Sequence, residues 1–247
     1  RRAALGAIAW VLTLGVVLRE HGPFAEALAL IDLVLAHAAT VPAHAYELRA
    51  FVALQHGDLA ATHHDLDRAE ATHDRAVAVK VQLTRGFAYR RAGDVTRALA
   101  AYRQAEALLD PVDLALAAEV QSRLVVAHQA CGDHGAARRA GEAGLACFRR
   151  LGDDAGQAKT HLNLGCLAWL EDHVDLARAH FVSALDAACS AGSASLECMA
   201  AFNLGEALLD LGAIDEACVH YERSLALLFN HEETFVSRSR RDGAGRT

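Results

Sequence analysis

Apolar residues recur along this chain at intervals of three and four. Val174, Ala177, Phe181 and Ala184-Leu185 form one such set, and Ile214, Ala217, Tyr221 and Ser224-Leu225 form another. Those intervals place each set on one face of an α-helix. Two further stretches read the same way: Gly86, Tyr89, Gly93, Val95, Ala98, Tyr102, Ala105, and Gly15, Leu18, Gly22, Phe24, Ala27, Ile31. Short turns punctuate the helical faces. They are His21-Gly22-Pro23-Phe24, His56-Gly57-Asp58-Leu59, Ala92-Gly93-Asp94-Val95, Cys131-Gly132-Asp133-His134, Glu171-Asp172-His173-Val174 and Leu211-Gly212-Ala213-Ile214. Their central residues lie at 22, 57, 93, 132, 172 and 212, so successive intervals are 35, 36, 39, 40 and 40. A fixed period of this size is the signature of a repeat architecture.

The turn chemistry has a physical reason. Gly after a helix accepts the left-handed backbone that closes it. Asp in the next position caps the following helix, and Pro suits its first turn. A hydrophobic residue then packs back on the first helix. Ala and Leu are abundant, only 3 Pro occur, and strand-favouring runs are scarce. The pattern predicts an all-α fold of about six helical hairpins, with units at about 3–42, 43–74, 75–113, 114–154, 155–194 and 195–230. Pro42 and Pro111 fall where units should end. The segment 231–247 loses the pattern and is expected to be a frayed final helix followed by a polar tail or linker.

The small-large order of the motif resembles the tetratricopeptide repeat. Asn163-Leu164-Gly165 precedes one turn and Asn203-Leu204-Gly205 the next, each followed by a hydrophobic residue, Ala, an aromatic and a small residue. The resemblance covers about residues 3–230 and is sharpest in units three, five and six. Unit four carries Gly141 and Gly144 where packing residues are expected. A period of 40, against 34 for this repeat, implies longer helices or longer inter-unit loops. The resemblance implies a right-handed α-solenoid whose first helices line a concave binding face. The array looks like the sensor arrays of bacterial multidomain regulators.

The N-terminal segment reads in two ways. Arg1-Arg2 precedes LGAIAWVLTLGVVL and Arg19 follows it. A basic start before an apolar run resembles a targeting segment, yet residues 1–18 also keep the repeat register. The run is too short to span a bilayer comfortably. Trp10, Val11, Leu14 and Val17 would need covering in a terminal repeat, which points to self-association.

Charge and chemistry narrow the function. Net charge is −7, so no global positive field attracts nucleic acid. Six cysteines lack any C-x-x-C pair and read as small buried hydrophobes in a reducing compartment, hence a cytoplasmic protein. His56, His63, His64, Asp65, Asp67 and His73 lack zinc-ligand spacing and read as a solvated helix face, so neither metal nor cofactor is expected. His161 and Cys166 are five apart on one helix, which does not aim a base at a thiol. No phosphate loop or nucleophile elbow occurs, and the chain is read as a non-enzyme.

The register assigns a groove. Gly86, Gly165 and Gly205 face the partner helix. Lys80, Thr84, Phe87 and Arg91 then line unit three, and Arg123 and Val126 line unit four. Lys159, Asn163, Cys166 and Leu170 line unit five, and Asn203 and Glu206 line unit six. In unit two, His44 and Glu47 take the corresponding place. The resemblance implies that Asn163 and Asn203 hydrogen-bond a peptide backbone. Lys80, Arg123 and Lys159 form a basic stripe suited to an acidic partner. The expected role is a protein- or peptide-binding scaffold. The alternative is the sensory region of a larger signalling protein, such as a transcription regulator, ATPase or nucleotide cyclase.

Overall fold

The computed structural model describes residues 24–37 and 41–243, with side chains through Phe229. Among these residues there are eleven α-helices and no strand. The chain forms two compact units, distinct from the six repeat units: unit one, residues 1–116, and unit two, residues 117–247. The N-terminal segment, the turn at Gly22 and the residues Trp10, Val11, Leu14 and Val17 lie outside the described residues.

Unit one holds α1 (Phe24–Ala36), α2 (Ala43–His56), α3 (Leu59–Glu70), α4 (Arg75–Arg91) and α5 (Val95–Ala107). Each helix packs on the next, and α2 also touches α4. Ile31, Leu48 and Val52 fill the space between α1 and α2. Ala50, Leu66, Ala69 and Val81 fill the space among α2, α3 and α4.

Unit two holds most of α6 (Leu114–Ala130), then α7 (His134–Leu151), α8 (Asp154–Leu170), α9 (Val174–Ser190), α10 (Ala194–Asp210) and α11 (Ile214–Gly243). Consecutive helices from α7 onward pack together, and α8 touches α10. Phe181, Leu162, Leu185, Leu204 and Leu208 belong to one buried cluster.

The long period comes from the helices, not the loops. Helices of 17 or 18 residues from α6 to α10 alternate with short turns, so half-repeats recur every 20 residues. Left-handed backbone accordingly appears at Gly132, Gly152, Asp172, Gly192 and Gly212. The turns at Gly152 and Gly192 close the second helix of a hairpin, so both ends of each hairpin use one device. Asp172 holds that conformation (φ 63°) without being Gly, which costs backbone energy.

Capping follows the expected chemistry. The carboxylates of Asp58, Asp94, Asp133 and Asp153 each accept from the backbone N–H three residues on, at 2.8–3.0 Å. This satisfies one of the orphan donors at each helix start.

Small residues meet large ones across each hairpin. Gly86 of α4 lies under the Tyr102 ring of α5, and Gly165 of α8 under the Phe181 ring of α9. Gly205 of α10 lies under Tyr221 of α11, where a Cβ would sit 2.8 Å from the ring. In the less regular units the same positions are filled differently. Ala50 and Leu66, both fully buried, stand 36 residues before Gly86 and Tyr102. In unit four the sizes are inverted: buried Val125 stands 40 residues before Gly165, and Gly141 stands 40 before Phe181. Leu164 of α8 enters the hole at Gly141. The motif is hard to see there because the pair has swapped helices.

Two expectations change. None of the six cysteines is fully buried; Cys131, Cys189 and Cys218 are exposed, because they fall in a turn or on outward helix faces. Asp65 is not solvated; it is wholly buried and paired with Arg49 at 2.5 Å. The backbone over 231–243 is helical and continues α11 to Gly243. No Pro interrupts that stretch, and Arg238, Arg240 and Arg241 suit a helix C-terminus. Among the described residues, no helix is long and apolar enough to cross a membrane.

Candidate functional site

The first helices of the hairpins in unit two are α6, α8 and α10, and their starts are 40 residues apart. Residues 40 apart therefore occupy equivalent positions. Arg123, Asn163 and Asn203 form one such row, and all three are half-buried. Glu119, Lys159 and Met199 form the row one turn earlier. The basic stripe is thus corrected within unit two. Arg123 shares its row with the two Asn, and the position matching Lys159 on α6 is an acid. Arg123 approaches that acid, Glu119, at 3.8 Å along its own helix.

Asn163 and Asn203 sit on helices that touch each other. Neither amide has a hydrogen bond to another described residue, nor does exposed Lys159 have an acidic partner among them. A side-chain amide offers two donors and a carbonyl acceptor. Of the other expected groove residues, Cys166 is half-buried, its thiol pushed up by burial. Leu170 is exposed. Glu206 accepts the Tyr221 hydroxyl at 2.5 Å. Burial, then that carboxylate, pushes the Tyr221 phenol up to about 12. Trp169 Nε1 donates to Asp210 at 2.7 Å, tying α8 to α10 at one end of the row.

In unit one the expectations fare differently. Lys80 is exposed. Thr84 is buried and donates to Glu47 Oε1 at 3.0 Å, so neither residue lines a groove. A short polar side chain at this crowded position turned inward to satisfy a buried carboxylate. The Arg91 guanidinium donates to the Leu54 carbonyl at the end of α2, which the Gly57 N–H also caps at 3.1 Å. The His-rich helix is structural as well: His63 stacks on Tyr89, and Asp67 pairs with Arg85 at 3.1 Å. Among the described residues no group of three or more His, Cys, Asp or Glu converges to hold a metal.

Two features had no clear sequence signal. Unit one carries a cavity of about 750 Å³ lined by residues that include Asp32, Tyr46, Arg49, His64 and Arg68. Arg49 there is held by Asp32 and Asp65, and Arg68 lies 4.1 Å over the Tyr46 ring. In unit two, His161 and His180 meet at 3.1 Å between their Nδ1 atoms. Burial lowers the His161 imidazole to about 4, helped by His180 and Arg149. Burial and Arg138 lower His180 as well. The pairing is across helices, which spacing along one helix does not reveal.

No family model and no curated protein matches the chain. Solved structures do. BtubC from P. vanneervenii is 16% identical over 93% of this chain and 92% of its own, with a TM-score of 0.68. A signal-transduction ATPase with numerous domains and a tetratricopeptide repeat sensor, from Pyrococcus horikoshii, is 15% identical with a TM-score of 0.72. That match covers 83% of this chain and 32% of the ATPase. A Rap protein complexed with competence and sporulation factor is 15% identical over 91% of this chain and 66% of its own, at a TM-score of 0.67. With its Gly-aromatic packing pairs and Gly-Asp turns, this chain is a tetratricopeptide-like all-α helical repeat.

Proposed function

We propose that the chain is a protein- or peptide-binding scaffold, not a catalyst, and that unit two holds the binding face. One observation carries this. Asn163 and Asn203 occupy equivalent positions on touching helices, half-exposed, with amides unused by the described residues. Packed helices lie about 8–10 Å apart. An extended chain covers that distance in about three residues. Two such amides therefore suit peptide groups about three residues apart on one extended segment. Lys159, one turn away, favours an acidic side chain on that segment. A related fold in complex with competence and sporulation factor agrees with a binding role. Six free thiols agree with a cytoplasmic setting.

The test is an Asn163→Ala/Asn203→Ala chain compared with wild type for proteins retained from a lysate of the source organism. The double variant keeps its helicity and loses the retained partner. Equal retention by both chains refutes the face. A Lys159→Glu chain further loses partners rich in Asp and Glu.

The likeness to the repeat sensor of a multidomain ATPase favours a second reading, a sensory region that acts on an effector domain. A self-association reading rests on the apolar segment at residues 1–18, with Trp10, Val11, Leu14 and Val17.

A further inference from the structure

The cavity in unit one is walled by one face from each of three consecutive helices. Asp32 and Leu35 come from α1, Tyr46 and Arg49 from α2, and Ala61, His64 and Arg68 from α3. Spacings of three and four put each set on a single helix face. The volume of about 750 Å³ lies within the range of small-molecule sites. Leu35, Val41, Ala61 and the Tyr46 ring supply the apolar part of the wall. None of these residues belongs to the Asn163–Asn203 face, so the site is independent of the binding face in unit two.

The polar groups constrain the occupant. The lining holds two guanidinium groups against one carboxylate, in a chain of net charge −7. Both guanidinium groups are held in place. Arg49 donates from Nε to Asp32 at 2.6 Å and from Nη1 to Asp65 at 2.5 Å. Arg68 lies 4.1 Å over the Tyr46 ring and has no acidic partner among the described residues. A guanidinium carries five N–H donors. Among the described residues, Arg49 spends two of its five and Arg68 none. Asp65 is wholly buried, 3.5 Å from His64 Nδ1, and Asp32 is taken by Arg49. The cavity therefore offers a ligand positively charged donors beside apolar surface. One unpaired cation with two carboxylates close by favours a ligand of single negative charge over a dianion. Stacking on Tyr46 fixes Arg68 before a ligand arrives, which lowers the entropy cost of binding.

We propose that this cavity is a binding site for a small organic carboxylate with an apolar body. The carboxylate accepts from Arg68 and from the remaining N–H groups of Arg49. The apolar body lies against Leu35, Val41 and Ala61. Two sources carry this chemistry, a free acid and the C-terminal residue of a peptide.

Isothermal titration of the full chain with octanoate tests this. Octanoate binds. Octanamide has the same body without the charge, acetate has the charge without the body, and each binds weaker by about tenfold or more. Arg68→Gln weakens octanoate by about tenfold or more, the size of one lost charge-assisted hydrogen bond. Arg90→Gln removes an exposed guanidinium that lies over the Phe87 ring outside the cavity, and leaves octanoate binding unchanged. If Arg68→Gln lowers helicity, Ala36→Trp narrows the cavity instead and weakens octanoate likewise. N-acetyl-leucine, built like the end of a peptide, identifies the source. Tighter binding than octanoate gives a chain terminus, and weaker binding gives a free acid.

No binding of octanoate at millimolar concentration overturns the site. Octanamide that binds as well as octanoate overturns the carboxylate. Unchanged binding by Arg68→Gln, or an equal loss in Arg90→Gln, overturns the assignment to this cavity.

Discussion

Gly165→Ala is expected to destabilise the protein, although Ala is the better helix former. Gly165 is buried in the middle of α8, directly beneath the Phe181 ring. A Cβ there would lie 2.7 Å from Cδ1 and 3.0 Å from Cζ of that ring. Phe181 cannot retreat: it is fully buried and meets the Trp169 ring edge-on at 6.3 Å. Overpacking of this kind costs about 3 kcal/mol at its upper end. Replacing a mid-helix Gly recovers about 1 kcal/mol of helix propensity. The net loss is about 2 kcal/mol, read as a lower urea midpoint by far-UV circular dichroism. Phe181→Leu alone loses about 1–2 kcal/mol of packing. Combined with Gly165→Ala it loses less than the sum, because the methyl enters the space the ring vacates. A favourable coupling of about 1 kcal/mol or more is expected from the double-mutant cycle. Gly135→Ala on α7 is the control, since the nearest atom to its Cβ would be the Arg139 guanidinium at 3.5 Å. It gains about 0.5 kcal/mol. A Gly165→Ala chain that is also stabilised, or a cycle with no coupling, would refute the ring-over-glycine packing.

Three further outcomes follow from local geometry. Asp172→Gly removes a left-handed strain at φ 63° and raises the urea midpoint by about 0.5–1 kcal/mol of stability. Asp153→Ala removes the cap on Gly156 N–H at 2.8 Å and costs about 1 kcal/mol, seen as a lower melting temperature. The His161–His180 contact makes the fold acid-sensitive. His161 binds its proton near pH 4 when folded and near its ordinary 6.5 when unfolded, so the unfolded chain takes up more protons between those values. Stability is complete above about 6.5 and falls as pH drops towards 4. Urea midpoints measured across that range decline in wild type and decline less in His161→Gln; equal slopes would refute the assignment.

The sequence alone determined the helical class, the hairpin turns and the small-large packing pairs. Each follows from local rules: Gly accepts left-handed backbone, Asp caps a helix, and an apolar face recurs at intervals of three and four. The regular hairpins at Gly165–Phe181 and Gly205–Tyr221 were legible because both partners keep a fixed offset from the turn between them. Unit four was not, because Val125 and Gly141 exchange sizes and volume is conserved only across the two helices together. Of the residues the register assigned to a groove, Asn163 and Asn203 are half-exposed on touching helices, which supports the proposed face. Thr84 and Arg91 hold equally plausible positions on paper, yet one satisfies buried Glu47 and the other a helix-end carbonyl. Whether a polar side chain reaches solvent or a neighbour depends on which acceptor lies close to it. That group comes from another helix, 37 residues away in both cases, and only tertiary packing brings it within reach.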